Sequence, residues 1–209
     1  MMQIEGIFSE GIETSKKLLD DTPKLLLLVV IATIPVVNLI LLGYFARIIR
    51  DGSSDPPPLF DYITLFIEGL KIFVALIIYL LIPLILIFVG IWTTVISGGF
   101  ALPFFILGAF LSLLIALIAA MGIVHMIYTQ SFAKAFSFGE IIEIIRTAGW
   151  GNYVLWILSI WIVSLMISAF SQVTPIGWLI TALVTPFFTV FVARTAFIIY
   201  SSGAGIVMD

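Results

Sequence analysis

Few side chains in this 209-residue chain could do acid–base or metal chemistry, and His125 is the sole histidine. A histidine can shuttle protons or ligate a metal, but a metal site needs further ligands nearby. No acidic residue lies within a helical turn of His125, and the chain has no cysteine, which removes thiolate nucleophiles and cysteine-based metal sites. We therefore interpret His125 as a packing or hydrogen-bonding residue and expect no metal and no cofactor.

Glu140, Glu143 and Arg146 follow one another at a spacing of three residues. Paired carboxylates can do acid–base chemistry when burial moves their pKa values apart. In a helix, this spacing places all three on the polar face, where Arg146 can pair with Glu143. We interpret the series as a solvated face and predict that the chain is not an enzyme.

Five basic residues lie close to the ends of hydrophobic blocks or on the amphipathic stretches beside them. At such positions a long cationic side chain extends toward the lipid headgroups and anchors its helix. If several of them converge, they could instead bind a lipid phosphate. These candidate headgroup contacts are Arg47, Arg50, Lys71, Arg146 and Arg194.

Small residues recur every fourth position in two of the hydrophobic blocks. Small side chains let helix backbones approach, and hydroxyl groups can hydrogen bond across the contact. We predict helix packing at both stripes, the alternative being that the threonines line a hydrated path. The stripes are Gly108, Ser112, Ala116 and Ala120, then Thr181, Thr185, Thr189 and Ala193.

Pro35 and Asn38 lie near the middle of the first hydrophobic block. Proline removes one backbone donor and predicts a kink at this point. Asn38 can satisfy the backbone that the proline frees or hydrogen bond a neighbouring helix. A contact between Asn38 and a substrate is the alternative.

The elements that carry these residues follow from the distribution of charge. Hydrophobic residues make up 62% and charged residues 10% of the chain, against about 25% charged residues in soluble domains. Blocks of about 20 apolar residues cross a bilayer, and they must be helical because lipid offers the backbone no hydrogen-bond partners. We predict an all-α integral membrane protein, a single domain over residues 1–209. Its five hydrophobic segments are 25–49, 72–96, 102–128, 152–170 and 178–200.

Three amphipathic stretches are predicted to be interfacial helices, because each has one apolar and one charged helical face. The first lies in the N-terminal segment 1–24, and the others lie near residues 60–71 and 138–148. Each of the latter two precedes a helical hairpin. Residues 59–128 and 137–200 are therefore candidate repeats of loop, surface helix and hairpin, although chance amphipathicity also explains the match.

The joints at 97–101 and 171–177 carry no charge, which places them on the non-cytoplasmic side. The charged loops and the C-terminus are then expected on the cytoplasmic face of the cell membrane. Residues 25–49 either span once, with a kink at Pro35, or re-enter and return there. A return gathers all nine Lys/Arg and all twelve Asp/Glu on one side, but its arms reach only about 15–20 Å.

The run from Ile34 to Arg50, with Phe60-Asp61-Tyr62 and residues 65–71, resembles the domain-of-unknown-function family numbered 4013. Its members are small multi-pass membrane proteins found largely in archaea and in some bacteria. The family usually has a Leu-Pro pair before its aromatic–aspartate step, where this chain has Pro56-Pro57-Pro58-Leu59. The resemblance covers nearly the whole chain and implies the multi-pass architecture, but no activity.

Together these patterns favour a membrane component that organises lipids or partner proteins at its charged face. The expected partners are membrane lipids, with a membrane protein or a second copy as further candidates. The net charge of −3 gives no reason to expect nucleic acid. The alternative is a small transporter or channel-like protein for a neutral solute, built on the two hairpins.

Overall fold

Helices are the regular elements of the computed structural model, which describes residues 4–97, 102–173 and 176–206. Two short 3-10 helices, Lys17–Asp20 and Phe132–Phe136, join longer ones. This confirms the all-α class. The α-helices are α1 (Ile4–Lys16), α2 (Thr22–Thr33), α3 (Leu39–Asp51), α4 (Tyr62–Ser97), α5 (Leu102–Thr129), α6 (Phe138–Ala148), α7 (Trp150–Val173) and α8 (Gly177–Ala204).

Four of these helices, α4, α5, α7 and α8, are long and apolar enough to cross a membrane. The first hydrophobic block, predicted to be either kinked or re-entrant, is not among them. It is divided into α2 and α3, of 12 and 13 residues, by a turn over residues 34–38. At 1.5 Å per residue each reaches only about 20 Å, short of the roughly 30 Å of hydrocarbon.

The helices α2 and α3 form a hairpin whose two arms meet the same loop. Lys24, at the start of α2, donates to the carbonyl oxygen of Pro56 at 3.0 Å. Tyr44, near the middle of α3, donates its hydroxyl to the carbonyl of Pro57 at 2.9 Å. Because neighbouring loop residues receive both bonds, the start of α2 and the middle of α3 lie beside the same loop.

The predicted second surface helix is the first part of α4, which runs unbroken from Tyr62. Two of the three predicted amphipathic helices, α1 and α6, are thus separate elements. Gly149 adopts a φ of 96° and ends α6 before α7 begins, whereas no such residue interrupts α4. The duplication of 59–128 and 137–200 stays a prediction.

Both amphipathic helices pack against α8. Ile7 of α1 and Ile141 and Ile145 of α6 are buried, so a large part of each apolar face is covered by protein. Apolar side chains at the margins, such as Ile12 and Ile142, remain exposed and can meet lipid. The burial in α8 therefore exceeds that of the other three long helices.

The densest packing lies at the end of the bundle where the charged loops are. The core includes Tyr44, Ile72, Tyr153 and the stretch from Ala193 to Tyr200. At this end α3 crosses α4 so closely that Gly43 faces the backbone of Leu65, and Gly69 faces that of Leu39. The outer turns of α4, α5 and α7 expose mostly large apolar side chains, the surface expected where lipid surrounds a helix.

Candidate functional site

A cavity of about 170 Å³ lies between α3, α4 and α5 at the charged end of the bundle. Arg50 comes from the last turn of α3, which ends where Gly52 adopts a left-handed conformation with φ 67°. Glu68 and Lys71 lie three residues apart in α4, so they share a helical face. The loop after α5 adds Gln130.

The charges in this cavity do not cancel. Arg50 donates two hydrogen bonds to the Glu68 carboxylate, at 2.5 and 3.2 Å, the bidentate geometry that guanidinium groups favour. Lys71 is exposed, and the described part of the chain offers it no ion-pair partner. Two cations and one carboxylate leave one positive charge in excess, which suits one anionic group.

A second cavity, of about 220 Å³, is lined by apolar side chains of α3, α4, α5, α7 and α8. Its wall includes Phe45, Leu76, Ala120 and Trp161. Ile72, only 3% exposed, lines this cavity and the charged one alike. The two cavities are therefore neighbours.

Arg47 holds the loop after α3 instead of lining the charged cavity. Its guanidinium donates to the carbonyl oxygens of Pro58 at 3.3 Å and Phe60 at 2.7 Å. It also lies 4.4 Å from the centre of the Phe60 ring, within the range of a cation–π contact. Both hydrogen bonds use Nη1, and together with the ring contact they hold the guanidinium against the loop.

Arg194 is buried, which corrects its prediction as a headgroup contact. Its side chain is 6% exposed and forms an ion pair with Glu10 of α1. It donates further to the carbonyl oxygens of Gly52 and Ser53. The pairing neutralises the charge and ties α8 to α1 and to the loop after α3.

Arg146 lies apart from the cavity, on α6, with its side chain 73% exposed and Glu143 at 3.5 Å. The five basic residues do not all converge on one cavity. Of the five, only Arg50 and Lys71 line the charged cavity.

His125 lies at the centre of a hydrogen-bond chain that links α5, α6 and α8. Its Nε2 lies 2.8 Å from Glu140 Oε2, and its Nδ1 lies 2.9 Å from the Tyr200 hydroxyl. A carboxylate only accepts, so Nε2–H donates to Glu140 and the tyrosine hydroxyl donates to Nδ1 when the ring is neutral. Lys134 donates to the other oxygen of Glu140.

The nearness of Glu140 to His125 was missed because the two lie 15 residues apart. The signal was the short connection between α5 and α6, which folds the first turn of α6 back onto the last turn of α5. His125 and Tyr200 are buried, and neither cavity described above includes them. This chain of hydrogen bonds therefore connects α5, α6 and α8 at the charged end of the bundle.

The Glu140 carboxyl gives this connection a dependence on pH. Hydrogen bonds from Lys134 and then His125 hold its pKa below the ordinary value. A lowered pKa stabilises the folded state at pH values above the unfolded pKa, and that contribution is lost as the pH falls through the folded pKa. We expect Glu140→Gln to flatten the loss of melting temperature below about pH 5, as measured in detergent between pH 3 and pH 7.

Glu143→Gln is the control for this prediction, because the exposed pair with Arg146 contributes little to stability. The melting temperature of Glu143→Gln should fall with decreasing pH as it does in the unmodified protein. If the melting temperature of Glu140→Gln fell at low pH as in the unmodified protein, the hydrogen-bond chain would not couple stability to pH.

The small-residue stripes contain one close helix contact and hydroxyl groups that bond within their own helices. Gly108 is buried against α4, where an added Cβ would lie 3.3 Å from Ile87. The Ser112 and Thr185 hydroxyls donate to carbonyls one turn earlier in their own helices, Gly108 and Thr181, both at 2.7 Å. These hydroxyls thus do not bond across to another helix. Ala116 and Thr189 are half-buried, and neither cavity includes a threonine of the second stripe.

Pro35 and Asn38 mark a turn instead of a kink within one helix. The backbone N–H of Asn38 donates to the carbonyl of Ile34 at 2.8 Å. The Asn38 side chain does not cap α3. Across residues 4–97, 102–173 and 176–206, no three His, Asp or Glu side chains gather as a metal site would require.

The comparisons with known proteins give one positive result. The model of a family described as "Protein of unknown function (DUF4013)" matches residues 26–176. That range includes all the charged residues of the cavity but not the ion pair between Glu10 and Arg194. Neither the curated proteins nor the solved structures gave a match.

Proposed function

Since the chain belongs to the DUF4013 family, whose description assigns no activity, we propose its function from its own residues. The protein is a non-enzymatic membrane component that binds the headgroup of an anionic lipid at its charged end. The observation that carries this proposal is the unpaired Lys71 beside the Arg50–Glu68 pair. An ammonium group and a guanidinium that converge on one cavity are suited to a phosphate.

The position of the cavity supports a lipid ligand. Lys71 is the last charged residue before a stretch of α4 and α5 that carries no Asp, Glu, Lys or Arg. The cavity therefore lies where the hydrocarbon of a bilayer would begin, at the level of the headgroups. We place this end on the cytoplasmic side, because it carries the basic residues of the loops.

The hairpin of α2 and α3 fits the same arrangement as a re-entrant element. Its tip, at residues 34–38, is apolar, and Val36 is 67% exposed. Backbone bonds close the turn, including those from Leu39 to Val36 and from Ile40 to Val37. Few of its backbone groups then meet lipid unsatisfied, the condition for irregular backbone at membrane depth.

Lipid retention by purified protein tests the proposal. We expect delipidated protein to bind phosphatidylglycerol in preference to phosphatidylcholine, as counted by native mass spectrometry. Lys71→Gln should weaken retention about fivefold, since a basic residue at a membrane surface contributes about 1 kcal/mol. Lys16→Gln is the matched control, because Lys16 is exposed on α1 and lies outside the cavity. Equal binding of both lipids, unchanged in Lys71→Gln, would overturn the proposal.

A further inference from the structure

We infer that the bound lipid inserts an acyl chain into the protein, in the apolar cavity adjoining the charged one. This inference rests on the proposed headgroup site and adds the second half of the ligand. The protein would then hold one lipid partly withdrawn from the bilayer, instead of only presenting a charged surface to many.

The two cavities are stacked along three helices in the same order. On α3, Arg50 and Ala46 line the charged cavity, and Leu42 lies a turn deeper in the apolar one. On α4 the order runs from Lys71 to Leu76. On α5, Met126 and Ile127 line the charged cavity, and Ile123 and Ala120 the apolar one. A molecule with a charged head and an apolar tail matches this order.

The apolar cavity offers little to water. Among the side chains that line it, only those of Trp156 and Trp161 carry an N–H or O–H group. The Nε1–H of Trp156 already donates to the Thr195 hydroxyl at 2.9 Å. A void lined by such side chains stays dry and takes apolar ligands. In a membrane protein the apolar material at hand is the acyl chain of a lipid.

The cavity is also open sideways. Leu42, Phe45, Leu76, Ile160, Trp161 and Val192 line it and are only partly buried. They belong to α3, α4, α7 and α8, so the cavity lies in the cleft where these helices meet. We expect an acyl chain to enter this cleft from the bilayer. The glycerol backbone of the lipid would then lie beside Ile72, which lines both cavities.

Filling the apolar cavity separates this inference from the proposed function. Ala120→Phe places a ring in the cavity, and Ala109→Phe places the same ring on the exposed face of the same helix. We expect Ala120→Phe to weaken phosphatidylglycerol retention about tenfold, the factor for one to two methylene groups that lose their burial. Ala109→Phe should retain the lipid like the unmodified protein.

Two further probes identify the source of the bound group. Inorganic phosphate and deacylated glycerophosphoglycerol should not displace the lipid at concentrations where phosphatidylglycerol does. If they do, the site binds a free anion and the inference falls. If Lys71→Gln loses the lipid and a folded Ala120→Phe keeps it, the headgroup site stands and the buried acyl chain does not. If the unmodified protein retains no lipid, both fall.

A spectroscopic measurement keeps the test independent of whether Ala120→Phe folds. One equivalent of phosphatidylglycerol with brominated acyl chains should quench tryptophan fluorescence in the detergent-solubilised protein. Trp161 lines the cavity, so Trp161→Phe should lose part of that quenching. Trp92 lies outside the cavity, so Trp92→Phe should show the same quenching as the unmodified protein. The same loss in both variants would contradict an acyl chain in the cavity.

Discussion

Gly43→Ala and Gly69→Ala should each destabilise the folded protein by about 3 kcal/mol, the upper end of the cost of overpacking. An added methyl group on Gly43 would overlap the carbonyl oxygen of Leu65, and one on Gly69 would overlap that of Leu39. Both obstacles are backbone atoms, so relief requires α3 and α4 to separate as whole helices. That movement would also open the charged cavity, because Arg50 and Glu68 lie on these two helices. Thermal unfolding in detergent, followed by circular dichroism, measures the effect.

Gly139→Ala is the matched control for both variants. Gly139 lies in α6 and would place its methyl group in open space. Alanine has the higher helix propensity by up to about 1 kcal/mol, so this variant should melt at or above the temperature of the unmodified protein. If Gly43→Ala melted there too, the close crossing of α3 and α4 would be wrong.

Glu10→Gln should cost about 3 kcal/mol, because it leaves Arg194 buried without a counter-charge. This is the lower end of the range for breaking a buried ion pair. The lower end applies because Glu10 is 36% exposed, whereas Arg194 is only 6% exposed. Glu13→Gln, on the exposed side of the same helix, should change stability by less than about 0.5 kcal/mol.

The double variant Glu10→Leu, Arg194→Met makes the test specific to charge. Removing both members of a buried pair is often nearly neutral, since neither charge remains without a partner. We therefore expect the double variant to recover most of the stability lost in Glu10→Gln. A double variant less stable than Glu10→Gln would show that packing and the bonds from Arg194 to Gly52 and Ser53, and not the unpaired charge, set the cost.

The membrane class could be predicted from the sequence because it depends on local composition. The long intervals without charge determine where α4, α5, α7 and α8 lie, and each has the length to cross a bilayer. Pro35 likewise locates the interruption of the first block. The sequence left open whether the chain returns at Pro35, because the contacts of Lys24 and Tyr44 with the carbonyls of a proline loop are long-range.

The same contrast between local composition and long-range contacts applies to the candidate site. Arg50 and Lys71 were predicted as headgroup contacts from their places beside apolar blocks, and they line one cavity. Arg194 has the same local signature, but α1 folds over α8 and brings Glu10 to it from 184 residues away. Only long-range packing distinguishes Arg194 from Arg50 and Lys71. The spacing of charges along the chain therefore could not predict which of the three is buried in an ion pair.

Cysteine accessibility tests most directly the claim that the charged elements gather on one side of a membrane. The chain has no cysteine, so single cysteines can replace Ser9, Ser54, Ser202 and Gln172, all of which are exposed. A membrane-impermeant maleimide, applied to intact cells and to inverted vesicles, should label positions 9, 54 and 202 from one face and position 172 from the other. Labelling of position 9 from the same face as position 172 would contradict the returning hairpin and the single charged face built on it.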